Sequence, residues 1–499
     1  MSVIDKLVGW FDPVAGLRRH AARQVLNKYE AAEPSRLRKF YRETMTANQL
    51  VKKSAKPLRD QARHLQRNHD ISRGALRTFA NNVVGANGIG IEPQPRRRDG
   101  SIHQAYADLL QEAWRDWCRR PEVTKRFTWS RVQRLGASTW ARDGEFFAQR
   151  LAGPVQFLDH GTRVPYSLEL LEADMIPGDY DGQYGNNKIR QACERNSWGQ
   201  PVAWWAYKTS PDDAWIATTS DLKRIPAERM LHVAAMDRIH QIRGVSEFAA
   251  IITRLEDIKD YEESERVAAK IAAMLTAYVK KGTPDLYNEG AANGESRAIS
   301  LTPGTIIDSL HVGEEIGLID SKRPNPNVVT FRQGQLRAAA AGFPISYSSL
   351  SRDYGGTYSS QRQELVEQYA HYACAADDFV GMFVQPAWEE FVTVAALSGV
   401  VPMPRDLRPG SADDALFIAQ AMPWIDPLKE AMASEALVQA RLASQQEMIR
   451  RRGAKPSDVI EQTKAWETAT KEAGITGTTT SNPNLAAAAQ AAARESVKN

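Results

Sequence analysis

The densest set of groups that could do chemistry in this 499-residue chain is a run of carboxylates, Glu169, Glu172, Asp174, Asp179 and Asp181. Oxygen ligands gathered this way could hold Mg²⁺ and let it activate water, the chemistry of a metal-dependent nuclease. No catalytic Lys or His pattern accompanies them, and a solvated strand edge explains the same residues better. Asp179, Asp181 and Gly182 open like a calcium loop, but Gln183 follows and the closing glutamate is missing. Gly85, Gly88 and Gly90 lack the order of a dinucleotide turn; there is no Gly-Lys pair for a phosphate loop and no His-Glu-x-x-His helix for zinc. Cys118, Cys193 and Cys374 are too dispersed for a metal knuckle and odd in number for a disulfide framework, which suits a reducing intracellular setting. The residues alone assign no catalytic group, metal or cofactor, although a nucleophile triad with distant members stays open.

A second set is built for contact. Gly342 to Arg362 is rich in hydroxyls and aromatics and carries Arg352, Tyr354 and the pair Gly355–Gly356. Leu336 to Ala341 reads as helix stopping at Gly342 and Pro344, and Ser360 with Gln363 reads as a capping box that starts the next helix. Such a loop can move and can meet a polyanion without gripping one base sequence. An ordinary surface loop has the same composition. Charge is also uneven: residues 1–100 hold 20 Lys and Arg against 9 Asp and Glu, so the other 399 residues carry −7 of the net +4. Arg59, Arg63 and Arg67 would form one stripe on a helix, fit for nucleic acid or an acidic partner, or simply solvated. Arg96 to Arg98 fall in a loop and receive no role.

The elements that position these groups read as α+β. Hydrophobic residues make up 42% of the chain and charged ones 25%, enough to bury several cores, and no apolar stretch is long enough to span a bilayer. Ile4, Leu7, Val8 and Phe11 have helical spacing, and Pro13 is expected to end that segment. Strands are expected at Ser167–Leu171, Pro201–Tyr207 and Met230–Val233, between turn-rich clusters. Val245 to Lys281 holds no Pro or internal Gly and reads as one helix, about 55 Å long at about 1.5 Å per residue. Its packing stripe is Ile251, Leu255, Ile258 and Tyr261, then Ala268, Ile271, Leu275 and Tyr278, with Glu247, Glu256, Asp257, Asp260, Glu262, Glu263 and Glu265 on the other side. Residues 282–304 are turn-rich, before a strand-like Thr305–Leu310. From Ser359 to about Ser398 a second long helix carries Leu365, Val366, Tyr369, Tyr372, Phe379, Val380 and Phe383, a stripe that reads as packing, with a kink at Pro386. Two or three helices follow over 426–473 around Arg450-Arg451-Arg452-Gly453.

Several blocks together resemble the lambda-type portal proteins of tailed bacteriophages. Tyr347, Leu350, Ser351, Arg352, Asp353 and Tyr354, followed by Tyr358, Ser359, Ser360 and Arg362, are similar to the family signature. In the same order along the chain come Arg63, Leu65, Arg67 and Asn68; Asn82, Val83, Val84, Gly85 and Gly88; Asp143, Gly144 and Glu145; and His232, Arg238, Gln241, Arg243, Gly244, Val245 and Ser246. The resemblance covers roughly residues 35 to 395.

It implies an α+β, multi-part portal subunit with an α/β wing, long stem helices, a small clip and a helical crown, assembling as a ring. N-terminal basic helices and wing would occupy 1–244, the stem helix 245–281, the clip 282–327, a second stem helix 328–341 and the tunnel loop 342–358. A long kinked helix and wing return would occupy 359–425, the crown 426–475 and a disordered tail 476–499. The implied function is non-enzymatic. A dodecameric ring at one capsid vertex would pass double-stranded DNA during packaging and ejection. Its partners would be the terminase large subunit, which hydrolyses ATP, the major capsid or scaffold protein, and the head-tail connector. It would sit in the virion, and in host cytoplasm during assembly. Ser348, Ser349, Ser351, Arg352 and Tyr354 would face DNA with Gly355 and Gly356 as hinge, while Glu256, Asp257, Asp260 and Glu263 would line the channel and repel the duplex. The alternatives are a metal-dependent nuclease using the carboxylates around Asp174, or a basic nucleic-acid or membrane adaptor acting through residues 1–100.

Overall fold

The computed structural model describes residues 10, 12–15, 18, 43–211, 221–273, 277–281, 314–318, 327–422 and 426–473. Two units divide the chain, Met1–Leu50 and Val51–Asn499. In the first, Trp10 is helical and Asp12 is not, and Asp12 accepts from the Val14 and Ala15 amides at 2.9 and 3.0 Å, so Pro13 opens a new helical turn. Thr46 and Gln49 bond reciprocally, backbone to side chain, at 3.0 and 3.4 Å, a capping box for helix α1, Ala47–Asn68.

In the second unit, α2 (Asp70–Val83) buries Ile71, Ala75, Phe79 and Val83 at steps of four, with Leu76 beside them. Gly85 and Gly88, at φ +82° and +81°, turn the chain into strand β1, Gly90–Pro93. Helices α3 (Gln104–Trp117) and α4 (Trp129–Asp143) lead into β2, Glu145–Ala152, which pairs antiparallel with β3 (Tyr166–Glu172). A five-stranded meander follows: β4 (Gly182–Tyr184), β5 (Asn187–Arg190), β6 (Cys193–Arg195), β7 (Pro201–Tyr207) and β8 (Leu222–Pro226). Strand β9, Met230–Ala234, returns to the other side of β2. All three strands expected here are present, and the fold is mixed helix and sheet.

The expected single helix from Val245 to Lys281 is corrected. Ser246 accepts from the Phe248 amide and caps a 3₁₀ turn, Glu247–Ala250, before α5, Ile252–Ala273. Its 22 residues span about 33 Å at about 1.5 Å per residue. The chain then enters β10, Ala277–Lys281, paired antiparallel with β11, Glu314–Leu318. Tyr278 and Val279 favour a pleated strand once a partner is at hand, and that distant partner overrides an unbroken helical pattern. Leu275 and residues 282–313 and 319–326, hence nearly all of the expected clip, lie outside the described residues, as do Ile4 to Phe11 other than Trp10 and the tail from 474.

Helix α6 (Val328–Gly342) ends as expected, and α7 (Tyr347–Ser351) follows within the expected loop. Helix α8 is Tyr358–Phe379, capped by Thr357, which accepts from the Ser360 amide, so the start is set one turn ahead of the expected Ser360–Gln363 box. The kink expected at Pro386 takes the form of a π turn, Val380–Val384, immediately before α9, Gln385–Leu397. Widening the turn absorbs the absent proline amide and the clash of its ring with the preceding carbonyls. Tyr372, Phe379, Val380 and Phe383 are buried, while Val366 is exposed. Trp114 centres the core, 4.6, 5.2 and 4.9 Å from the rings of Trp117, Trp388 and Phe391; each such ring removes about 150–250 Å² from water. Strand β12, Ala415–Ile418, comes back to pair with β1. Helices α10 (Pro427–Gln439), α11 (Gln445–Arg451) and α12 (Pro456–Glu472) follow, with Arg450 gripping Glu92 through two bonds at 2.9 and 2.8 Å.

Candidate functional site

Two of the blocks singled out in sequence meet where α5 leaves the sheets. Gly144 ends α4 at φ +85°, and a Cβ there would lie 2.3 Å from the Val245 carbonyl carbon; a Cβ on Gly244 would lie 2.0 Å from the Gly144 oxygen. Only two glycines let these backbones cross so closely. Beside the crossing, the buried Glu145 carboxylate accepts from Arg243 Nε at 2.8 Å, from His232 Nε2 at 2.9 Å and from the Gly244 amide at 3.0 Å. Arg243 also donates to the carbonyls of Ile176 and Gln191, both at 3.1 Å. Burial would raise the Glu145 carboxyl, but Arg243 and the hydrogen bond from His232 hold it well below the usual carboxylate range. Burial likewise lowers the His232 imidazole against the pull of Glu145. This is a stiff joint with every charge satisfied, from which Ser246 launches the helix.

The carboxylates that suggested a metal are tied to the arginine stripe. Asp174 pairs with Arg59 at 3.0 Å and Arg63 at 2.6 Å, Glu172 with Arg63 at 3.2 Å, Asp181 with Lys52 at 2.7 Å and Glu169 with Lys223 at 3.5 Å. Arg63 further grips Asp143 with Nε and Nη2, at 3.1 and 2.7 Å. Asp179 is exposed and makes no ion pair among the described residues. Among the described residues no group of three or more His, Cys, Asp and Glu could hold a metal ion. Two features that read in sequence as possible sites, one acidic and one basic, thus neutralise each other inside the subunit. Arg67 takes no part in these pairs.

Ile251 just ahead of α5 and Leu255 and Ile258 on it are buried, whereas Glu256, Asp257, Asp260 and Glu263 are all exposed. The acidic residues therefore share the free side of the helix. Helix α6 packs alongside: the Tyr261 and Phe331 rings meet at 4.7 Å, tilted by 55°, Arg332 pairs with Glu262 and Arg254 donates to Gln335.

The loop after α6 is more ordered than its composition suggested. Ser346 caps α7 by accepting from the Ser349 amide at 3.3 Å. The Ser348 amide donates to Glu364 at 3.0 Å and its hydroxyl bonds the same carboxylate; the Ser351 hydroxyl donates to the Tyr347 carbonyl at 2.8 Å. Asp353, which the sequence left without a role, holds the turn by accepting from Tyr347 Oη at 3.0 Å and the Gly355 amide at 3.1 Å. The Asp-x-Gly spacing was its only local signal. Arg352 ends α7 at φ 59° and reaches the Thr78 hydroxyl at 3.0 Å. Arg352, Tyr354, Gly355 and Gly356 are exposed, and Ser348, Ser349 and Ser351 are half-buried. Cys118, Cys193 and Cys374 are free; burial pushes the first two thiols up to about 12. Among the described residues no helix is long and apolar enough to cross a membrane.

Residues 33–375 match the family model described as phage portal protein, lambda family. The chain is 24% identical over 433 residues to the probable portal protein of Halomonas phage phiHAP-1, covering 83% of this chain and 81% of that one. It is 20% identical over 445 residues to portal protein B of Escherichia phage lambda, covering 80% and 81%. Among solved structures, a chain from the neck of a native GTA particle computed with C12 symmetry aligns with TM-score 0.42 and 11% identity, over 80% of this chain and 94% of that one.

Proposed function

This chain belongs to the lambda family of phage portal proteins, and from that membership we propose that it works as one subunit of a dodecameric ring at a single capsid vertex. In this reading α5 and α6 bound a channel for double-stranded DNA. The observation that carries it is the segregation on the first half of α5: Leu255 and Ile258 are buried in the subunit and Glu256, Asp257, Asp260 and Glu263 are all left facing solvent. A wall of carboxylates repels phosphates, so DNA slides along it instead of being held. The loop from 342 to 358 projects toward the duplex. Arg352, Tyr354 and Ser349 supply its contacts, Gly355 and Gly356 its freedom, and Ser348 and Ser351 chiefly its internal bonding.

The work is mechanical. ATP hydrolysis belongs to a terminase large subunit docked on the ring, which later receives the head-tail connector, while the wing meets the major capsid or scaffold protein. The subunit assembles in host cytoplasm and ends in the virion. Mass photometry of the full chain followed by negative-stain imaging tests the ring. Rings with a central hole wide enough for duplex DNA are expected, and a monomer at every concentration and salt would overturn the reading.

A further inference from the structure

The surface carries two features of opposite shape at the two ends of β2. Past its C-terminal end, Val155 to Leu158 close a turn through a bond from the Leu158 amide to the Val155 carbonyl at 3.1 Å. Phe157 takes the third position at φ +63°, a place that favours glycine or asparagine, and it is 99% exposed. The loop is pinned. His160 is buried between the Ser167 hydroxyl and the Gly153 carbonyl, both at 2.8 Å, and Lys125 holds Asp159 at 2.6 Å. A large apolar ring is thus held out in water on a strained turn, and nothing among the described residues offsets either cost.

At the other end, where Glu145 pairs with Ala234, a cavity of about 320 Å³ opens between the β6–β7 turn and the segment after β9. Trp204 forms part of its wall, and Trp198, Met236 and Ile239 line it while 92%, 46% and 98% exposed. About 150 Å³ already suffices to take a benzene ring. The lining includes Arg195 and His240 and no carboxylate, and the Arg195 Nε is buried without a hydrogen-bond partner. Asp159, two residues from Phe157, is 85% exposed even with Lys125 attached. Shape and charge therefore complement each other. Phe147 packs against Trp204 and His232 near the cavity, and from there to Ala152 the strand rises about 17 Å at about 3.4 Å per residue.

A knob at one end and a socket at the other is what a head-to-tail contact requires, and such a contact repeated by rotation closes a ring. Resting on the portal reading above, we infer that Phe157 of one subunit seats in the Trp198–Trp204–Ile239 cavity of the next copy of this chain, bringing Asp159 toward Arg195.

The full-length chain tests this. Phe157→Gly relaxes the turn, so melting of the dilute chain should hold or rise while the concentration at which rings form increases about thirtyfold, as for loss of an aromatic anchor. Phe157→Cys with Ile239→Cys, in a Cys374→Ser background, should give a ladder of oxidised oligomers on denaturing gels, and neither single variant should. Wild-type rings together with unshifted Phe157→Gly rings and no ladder would overturn the socket and leave the ring intact. A wild-type chain that never assembles would overturn both.

Discussion

Arg63 Nη1 lies 2.6 Å from Asp174 Oδ2, and with the Arg59–Asp174 and Arg63–Glu172 pairs this contact joins the arginine stripe to the carboxylate run. Burial alone would raise the Asp174 carboxyl, but Arg59 and Arg63 draw it below its ordinary range. The same guanidinium also holds Asp143, whose side chain is 0% exposed. Arg59 and Arg63 of the basic stripe and Glu172 and Asp174 of the acidic run thus engage one another within the subunit.

Removing Arg63 should therefore cost stability instead of an activity. Arg63→Ala leaves Asp143 with Arg142 alone, and breaking a buried pair costs about 3 kcal/mol. Arg63→Lys should recover only part, because an ammonium cannot reproduce the two-pronged grip. Urea unfolding measures both. Millimolar Mg²⁺ should leave the wild-type melting temperature and a supercoiled plasmid unchanged; cleavage that Asp174→Asn abolishes would restore the nuclease reading.

Local chemistry was legible in sequence, and distant pairing was not. Pro201–Tyr207 was readable because turn residues bracket a β-rich run, and the helix end at Gly342 because Pro344 follows. The stem helix was overextended since nothing local breaks it; Tyr278 becomes strand only because Gly317 lies opposite. Arg59 and Asp174 stand 115 positions apart, so no window of sequence could pair them. In the loop, hydroxyl-rich composition suggested open contacts, yet Ser348 is occupied by Glu364 from the next helix.

Acid should weaken the joint in two stages. His232 has its folded pKa lowered from 6.5, so the native state binds fewer protons than the unfolded chain and stability falls as pH drops below about 6.5. Glu145, held below 4.5, adds a contribution present above that value and lost as pH falls toward its folded pKa. Wild-type stability should be flat between about pH 7 and 8 and should decline on acidification. His232→Gln should flatten the upper stage and keep the lower, as read by chemical denaturation across the range.

The proposed channel role of α5 predicts that neutralising its free side converts a repelling wall into a neutral one. Glu256→Gln, Asp257→Asn, Asp260→Asn and Glu263→Gln together touch only exposed side chains, so stability should change by less than about 1 kcal/mol. Duplex binding at low salt should tighten by about tenfold and the gain should vanish at high salt. Unchanged binding by assembled rings would place another face of the helix toward the DNA.

Arg352 combines two roles that substitution can separate. Its backbone, at φ 59° and ψ 24°, closes α7 by donating to the Ser348 carbonyl at 2.9 Å, while its guanidinium is steadied by Thr78. Glycine occupies that backbone region freely, whereas an L-residue there costs about 1 kcal/mol. Arg352→Gly should thus be at least as stable as wild type and Arg352→Ala no more stable than wild type, the two differing by about 1 kcal/mol. Both remove the guanidinium and should fail equally in a phage complementation assay that counts packaged genomes. If Arg352→Gly packaged normally, the arginine would serve only the turn; if Gly and Ala fail alike despite unequal stability, the loss belongs to the charge that the turn holds out.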